Sequence, residues 1–243
     1  MTQKITIEQT NFADGWIPVV GSWSYASADS PTFTITVPSG AASLYSPEMR
    51  IKLTQTTVKY FIVTAVADSV LTVYGGTDYT LVNAAISAIS YSTQKAPLGF
   101  PLDSSKWMQQ FSSTSYATQA SPSANVWYNL ASASLSIPIG CWDIEYFCSI
   151  GMNVAGANAA FDIKSSLSTA NNSQGDSDLT AAFTGFSTAA QYLGHNLTKR
   201  KIINLSSKTT YHLNHSVGQS ISGTMNLAGS VGKTIIRAVC AYL

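Results

Sequence analysis

Residues 135 to 150, LSIPIGCWDIEYFCSI, carry apolar side chains at every second position, with Trp142, Ile144, Tyr146 and Cys148 in one row. Asp143 and Glu145 occupy the opposite row. An alternation of period two is that of a strand with one buried and one wet face. Pro138 to Gly140 read as a tight turn, because Pro fixes φ and Gly tolerates positive φ. The same period marks PTFTITVP through Phe33, Ile35 and Val37, and MRIKLTQ through Met49, Ile51 and Leu53. VKYFIVTAV and SVLTVYGG follow, giving an antiparallel meander with about 8 to 12 residues from turn to turn. TLVNAAIS, residues 80–87, predicts a short helical turn with Thr80 as its cap.

The period fades from Ser104 to Ala124, SSKWMQQFSSTSYATQASPSA, which reads as a Ser/Thr-rich linker with Trp107, Met108 and Phe111 as anchors. Strands resume with VWYNLASASLSIP and continue to KTIIRAVCAYL. They number about eight, as in a jelly roll. The expected architecture is therefore all-β. A small antiparallel domain spans residues 1–103, a linker 104–124 and a β-sandwich 125–243. No repeat relates the two halves.

Composition changes this picture in one respect. Charged residues make up 10% of the 243 and the net charge is +1, against about 25% charged in an average domain. Such a chain has no basic surface for nucleic acid and little charge repulsion to hold copies apart. An oligomer that covers much of its surface is expected. No apolar run reaches the roughly 18 residues of a membrane helix, and MTQKITIEQT lacks the apolar core of a signal peptide. Cys141, Cys148 and Cys240 are expected to be reduced, in a reducing compartment. Cys141 and Cys148 have opposite parity and cannot pair within one strand. Asn171, Asn196, Asn204 and Asn214 stand in Asn-x-Ser/Thr sequences, which mean little without secretion.

Candidate chemistry is sparse. His212 and His215 lie three apart and point to opposite faces of a strand, with His195 upstream, so a metal would need a turn between them. Asp143 and Glu145 share a face and have the residue types of a glycosidase pair; two acids on a wet strand face are the ordinary alternative. NNSQGDSD, residues 171–178, offers Asn172, Gly175, Asp176 and Asp178 as calcium ligands without the spacing of an EF-hand; a polar loop tip is the alternative. Trp16, Trp23, Tyr25, Tyr45, Trp107, Trp127 and Tyr128 could stack on sugars, but aromatics in β domains mostly serve cores and interfaces. Lys199 to Lys201 form the single basic run, read as a solvated edge or an intersubunit ion-pair site. Neither a serine elbow nor a phosphate loop occurs. The expectation is a protein that is not an enzyme, with no catalytic residue, no metal, no cofactor and no assignable binding residues.

Two resemblances add to this reading. PIGCWDIEY, followed by a chain that stops in the strand IIRAVCAYL, resembles the jelly-roll domains of the tumour necrosis factor and complement C1q-like class over residues 125–243. That class implies a homotrimer with a centrally placed last strand. DGWIPVVGSWSYASADSPTFTITVPSG, SPEMRIKLTQTTVKYFIVTAV, VYGGTDYTL and YSTQKAPLGFPLDSSKW are similar to a module of tailed-bacteriophage and prophage virion proteins over residues 11–107. The implied protein is a virion component, made in the bacterial cytoplasm. Its first domain docks on a tail, baseplate or capsid, and its second binds a host cell-surface glycan or protein by avidity. The alternative is a passive virion part, such as a head decoration, fibre or baseplate hub, without a receptor. Neither reading calls for nucleic acid or membrane insertion.

Overall fold

A computed structural model describes residues 14–155, 159–187, 192–220, 222–227 and 232–242. The first thirteen residues of the expected N-terminal domain and Leu243 lie outside these. The chain divides into two compact units, one ending at Trp107 and the other beginning at Met108. Both are built almost wholly of strands, as the period-two pattern requires, with a short helix at Ala41–Leu44.

The first unit contains β1 (Ile17–Pro18), β2 (Ser24–Asp29), β3 (Thr32–Thr36), β4 (Arg50–Gln55), β5 (Thr57–Ala67), β6 (Val70–Tyr74) and β7 (Ser87–Ser92). They form one antiparallel sheet in the order β1-β7-β4-β5-β6-β3-β2. Of the residues singled out by their alternation, Ile35, Val37, Ile51 and Leu53 are buried in its core, whereas Phe33 and Met49 pack against it partly buried; Phe61, Val63, Leu71 and Val73 complete the core. Tyr45 sits edge-on to Trp23 before β2 and to Tyr91 on β7, at 5.6 and 5.5 Å between centroids. The two ends of the sheet thus curl toward each other across one ring. On the opposite face a second aromatic layer packs Trp16, Tyr60, Phe100 and Trp107, with Phe100 and Trp107 stacked at 5.2 Å.

The helix expected at residues 80–87 does not form. An isolated turn of eight residues is below the length at which helix is self-supporting, and tertiary partners take its backbone groups instead. Gln55 Nε2 donates to the carbonyls of Val82 and Ala84 at 2.9 and 3.0 Å, and Gln55 Oε1 accepts from the Val82 N–H. Lys59 Nζ donates to the Thr80 carbonyl at 2.6 Å. This holds Leu81 in the core. The buried amide of Gln55 is therefore a structural keystone. Gln55→Leu removes three hydrogen bonds to this backbone and is expected to cost about 2–3 kcal/mol, read as a lower urea midpoint for the N-terminal unit.

The second unit contains β8 (Met108–Ser113), β9 (Ala117–Ala120), β10 (Trp127–Tyr128), β11 (Ser134–Ile137), β12 (Gly140–Val154), β13 (Ala159–Ser168), β14 (Thr180–Ser187), β15 (Tyr192–Leu205), β16 (Thr209–Val217), β17 (Gly223–Leu227) and β18 (Thr234–Tyr242). One sheet runs β8-β18-β12-β17-β9, with β15 on the far side of β12; the other runs β10-β16-β13-β14, with β11 also on β16. Three pairs lie end to end and act as single columns. β17 and β18 share one side of β12, β8 and β9 continue outside them, and β10 and β11 share β16. Numbered along the chain, the eight columns stack as 1-8-3-6 and 2-7-4-5, the alternation of a jelly roll. The two sheets meet through side chains: Tyr146 Oη on β12 donates to the Ser165 carbonyl on β13 at 2.7 Å. The last strand, β18, lies centrally between β12 and β8.

The supposed linker is a correction. Residues 108–113 and 117–120 are the strands β8 and β9, and residues 104–106 form a short 3-10 turn capped by Asp103. The boundary therefore falls at Trp107, not at residues 104–124. The sequence hid these strands because each is short and lies at a sheet edge, with Ser, Gln and Thr on its outward side.

Candidate functional site

The opening alternation is reproduced on β12. Trp142, Ile144, Tyr146 and Cys148 face the interior and are buried to within 1%. Deep between the sheets they meet a polar chain. His215 Nδ1 and Ser165 Oγ share a hydrogen bond of 2.9 Å, and Cys148 Sγ donates to Ser165 Oγ at 3.6 Å. His215 is fully buried and its Nε2 has no hydrogen-bond partner. Burial alone pushes its imidazole down to about 3, and burial, against the opposing hydrogen bond to Ser165, pushes the Cys148 thiol up to about 12. Both are neutral over the physiological range. No nucleophile can work from this position, since water does not reach it.

His212 is half-buried on the other face of β16, opposite Ser134 and Ser168, as its parity requires. His195 is exposed on β15, its ring 4.7 Å from that of Phe183. The three histidines are thus dispersed. Among the described residues, no three His, Cys, Asp or Glu side chains gather where they could hold a metal. The three cysteines are all free thiols.

The two candidate acids on β12 are each matched by an arginine. Asp143 accepts from Arg200 Nε at 2.7 and 2.8 Å and also pairs with Arg200 Nη2, and Glu145 pairs with Arg237 at 2.5 Å. The Arg200 guanidinium holds the Asp143 carboxyl below its usual range. A glycosidase needs one carboxyl held protonated, and at Asp143 the Arg200 contact works against that. These are cross-strand ion pairs on a sheet surface.

The acidic loop before β14 has its own cation. Lys201 Nζ lies 2.6 Å from Asp176 Oδ2 and 2.9 Å from Asp178 Oδ2. This is the geometry a calcium ligand pair would offer, filled by an ammonium. Contact with the two carboxylates pushes Lys201 up to about 12, and Lys201 holds Asp176 below its usual range. The loop is pinned further by Asn214, whose Nδ2 donates to the carbonyls of Ala170 and Ser173 and whose Oδ1 accepts from the Asn172 N–H. Asn214 is fully buried, so its Asn-x-Ser sequence is a core element. Calcium at millimolar concentration is expected to leave the Tm of the protein unchanged. Lys201→Met is expected to lower the Tm and to make it respond to calcium. A calcium response in the unaltered protein would contradict this assignment.

Of the basic run, Arg200 and Lys201 are thus spent on contacts within the chain; the intersubunit ion-pair role expected for it is not needed to account for them. Trp16, Trp23, Tyr45 and Trp107 are buried in the first unit. Tyr25, Trp127 and Tyr128 are half-buried, and Tyr128 Oη accepts from the Ser123 N–H at 3.0 Å.

What remains is a surface. The outer face of the β15-β12-β18-β8 sheet carries three cross-strand rows. Asp143 lies between Ile202 and Val239, with Met108 beyond; Glu145 lies between Arg200 and Arg237; Phe147 lies between Thr198 and Ile235. Apolar side chains of Ile202 and Val239 on one side and of Phe147 and Ile235 on the other therefore flank the ion pairs Arg200–Asp143 and Arg237–Glu145, and Ile202, near the C-terminal end of β15, is 64% exposed. The facing surface of the other sheet differs, because the Asn214-pinned loop folds over Ser166, Ser168 and Asn214 and buries them. Sequence reasoning missed the outer face. Ile202 sits in KRKIINL, where two adjacent isoleucines leave no parity to read.

The class defined so far is a two-unit, all-β protein with a C-terminal jelly-roll sandwich. No family model matches the chain, and no curated protein matches it. Among solved structures, the chain is similar to a structure of the infectious bursal disease virus Gx strain at a TM-score of 0.28 and 10% identity, over 94% of this chain and 62% of that one. It is similar to the VP2 subviral particle of the same virus at 0.30 and 13%, over 95% and 63%. For the Gt strain the values are 0.30 and 10%, over 96% and 63%. The chain spans less than two thirds of each of these proteins. TM-scores of this size carry no argument about its fold or function.

Proposed function

We propose that this chain is a structural protein of a tailed-phage or prophage virion, in which three copies assemble through the outer face of the β15-β12-β18-β8 sheet and bind the host cell surface. The observation that carries the assembly is that face itself: Ile202 is mostly exposed and Val239, Phe147 and Ile235 are half-buried beside it, on a molecule with few charges to keep copies apart. Apolar side chains around matched ion pairs suit a subunit contact, since the charges enter it already paired. The virion setting is supported by the resemblance of residues 11–107, and a separate N-terminal core fits a part that attaches to other virion proteins. Three weak receptor sites on one rigid body would act by avidity.

Excess purified protein is expected to block adsorption of the parent particle, and antibodies to it should label the distal tail. Label on the head, with no effect on adsorption, would leave the passive virion component as the reading.

A further inference from the structure

The jelly roll has an outer column at each end of its two sheets, and three of these are guarded against pairing with another chain. β8 and β9 are separated by residues 114–116, and β10 and β11 by the turn at Leu130–Ser132. β15 carries Lys199, Arg200 and Lys201. Short strands and charges are the ordinary protection of a sheet edge. β14 has neither. Its sequence, TAAFTGFS, contains no charge and no proline, and its register with β13 runs without a bulge.

The backbone groups that β14 leaves free follow from parity. The Leu167 N–H donates to the Leu179 carbonyl at 3.2 Å, one step before the ladder in which Ser165 faces Ala181 and Ile163 faces Phe183. Hydrogen-bonded pairs alternate in an antiparallel ladder, so the odd-numbered residues of β14 bond to β13. Ala182, Thr184 and Phe186 then turn their N–H and C=O groups to the open side. Among the described residues no strand pairs with that side, and no backbone hydrogen bond is made there. All three side chains are exposed, Phe186 by 56%. β15 meets β14 through the rings of His195 and Phe183, across the sandwich and outside its ladder.

This free set is its own complement. Two copies of β14 laid antiparallel about Thr184 place Ala182 opposite Phe186 and Thr184 opposite Thr184, and each pair exchanges two hydrogen bonds. The Thr–Thr pair is a favourable one across strands, and the large Phe186 ring meets the small Ala182 side chain. No charge opposes another, and a net charge of +1 does little to keep copies apart.

We propose that β14 is a contact between two copies of this chain, a two-fold strand pairing that continues the β10-β16-β13-β14 sheet from one molecule into the next. It does not depend on the β15-β12-β18-β8 face. One strand edge buries far less than the roughly 1,200–2,000 Å² of a stable interface. The pairing is therefore weak, and fills at the high local concentration of an assembled particle.

Sedimentation velocity tests it on the full chain carrying Ile202→Lys, which blocks the other face. The mass should be that of one chain at micromolar concentration and rise toward two at millimolar concentration. Amide exchange at Ala182, Thr184 and Phe186 should slow severalfold in step. Adding Thr184→Lys sets like charges opposite each other at the axis, and should hold the mass at one chain with an unchanged unfolding midpoint. The pairing is overturned if the mass does not rise, or if Thr184→Lys leaves the rise in place. It is also overturned if the three amides exchange slowly at every concentration, because a segment of the same chain then covers the edge. Oligomers that Ile202→Lys fails to dissolve at micromolar concentration count against the β15-β12-β18-β8 face, whereas loss of the millimolar rise counts against β14 alone.

Discussion

Lowering the pH from 6.5 toward 3 is expected to destabilise the C-terminal sandwich by about 5 kcal/mol through His215 alone. The imidazole is fully buried between the sheets, its neutral form held by Ser165, and burial puts its folded value at about 3 against 6.5 for the free side chain. The unfolded chain then binds the proton that the folded chain refuses. By linkage the stability is intact above pH 6.5, falls at about 1.4 kcal/mol per pH unit below it, and levels off near the folded value. Neighbouring Cys148 and Tyr146 are both pushed upward and stay neutral throughout that window. Urea midpoints measured from pH 7 to pH 3.5 should therefore show a slope that His215→Gln reduces by about one proton. The other acids titrate equally in both proteins and cancel in the comparison. Identical slopes would show that the buried histidine is not held neutral.

The second large effect concerns assembly. Ile202→Lys should convert the proposed trimer to single chains without unfolding it. In the single chain Ile202 is mostly exposed, so its replacement alters folding by less than about 0.5 kcal/mol. The new ammonium would also stand opposite Asp143, which favours it in the free sheet. In an assembled face the same ammonium is buried in every copy beside an Asp143 already matched by Arg200, and such an excess buried charge costs several kcal/mol. The expected result is loss of the oligomer by light scattering with an unchanged circular dichroism spectrum and unfolding midpoint. An oligomer that persists would place the subunit contact elsewhere.

Much of the sandwich was legible in residues 135 to 150, because a strand with one wet face repeats its apolar positions at the period of the pleat. Parity also placed His212 and His215 on opposite faces. The short edge strands β8 and β9 were not legible, since four to six residues with polar outward sides leave no period to detect. The segment 80–87 misled because helix propensity is local, whereas Gln55 reaches it from β4. Candidate chemistry fared in a similar way. Residue types at Asp143, Glu145, Asp176 and Asp178 suggested acids and metal ligands, but the arginines and the lysine that neutralise them come from β15 and β18.

The solution mass of the purified chain, measured by light scattering beside Ile202→Lys, tests the central claim most directly. The account predicts a particle of three chains of 25.8 kDa each for the parent, and one chain for the variant. A parent that runs as a single chain at micromolar concentration would contradict assembly through the β15-β12-β18-β8 face, and with it the avidity on which the proposed host attachment depends.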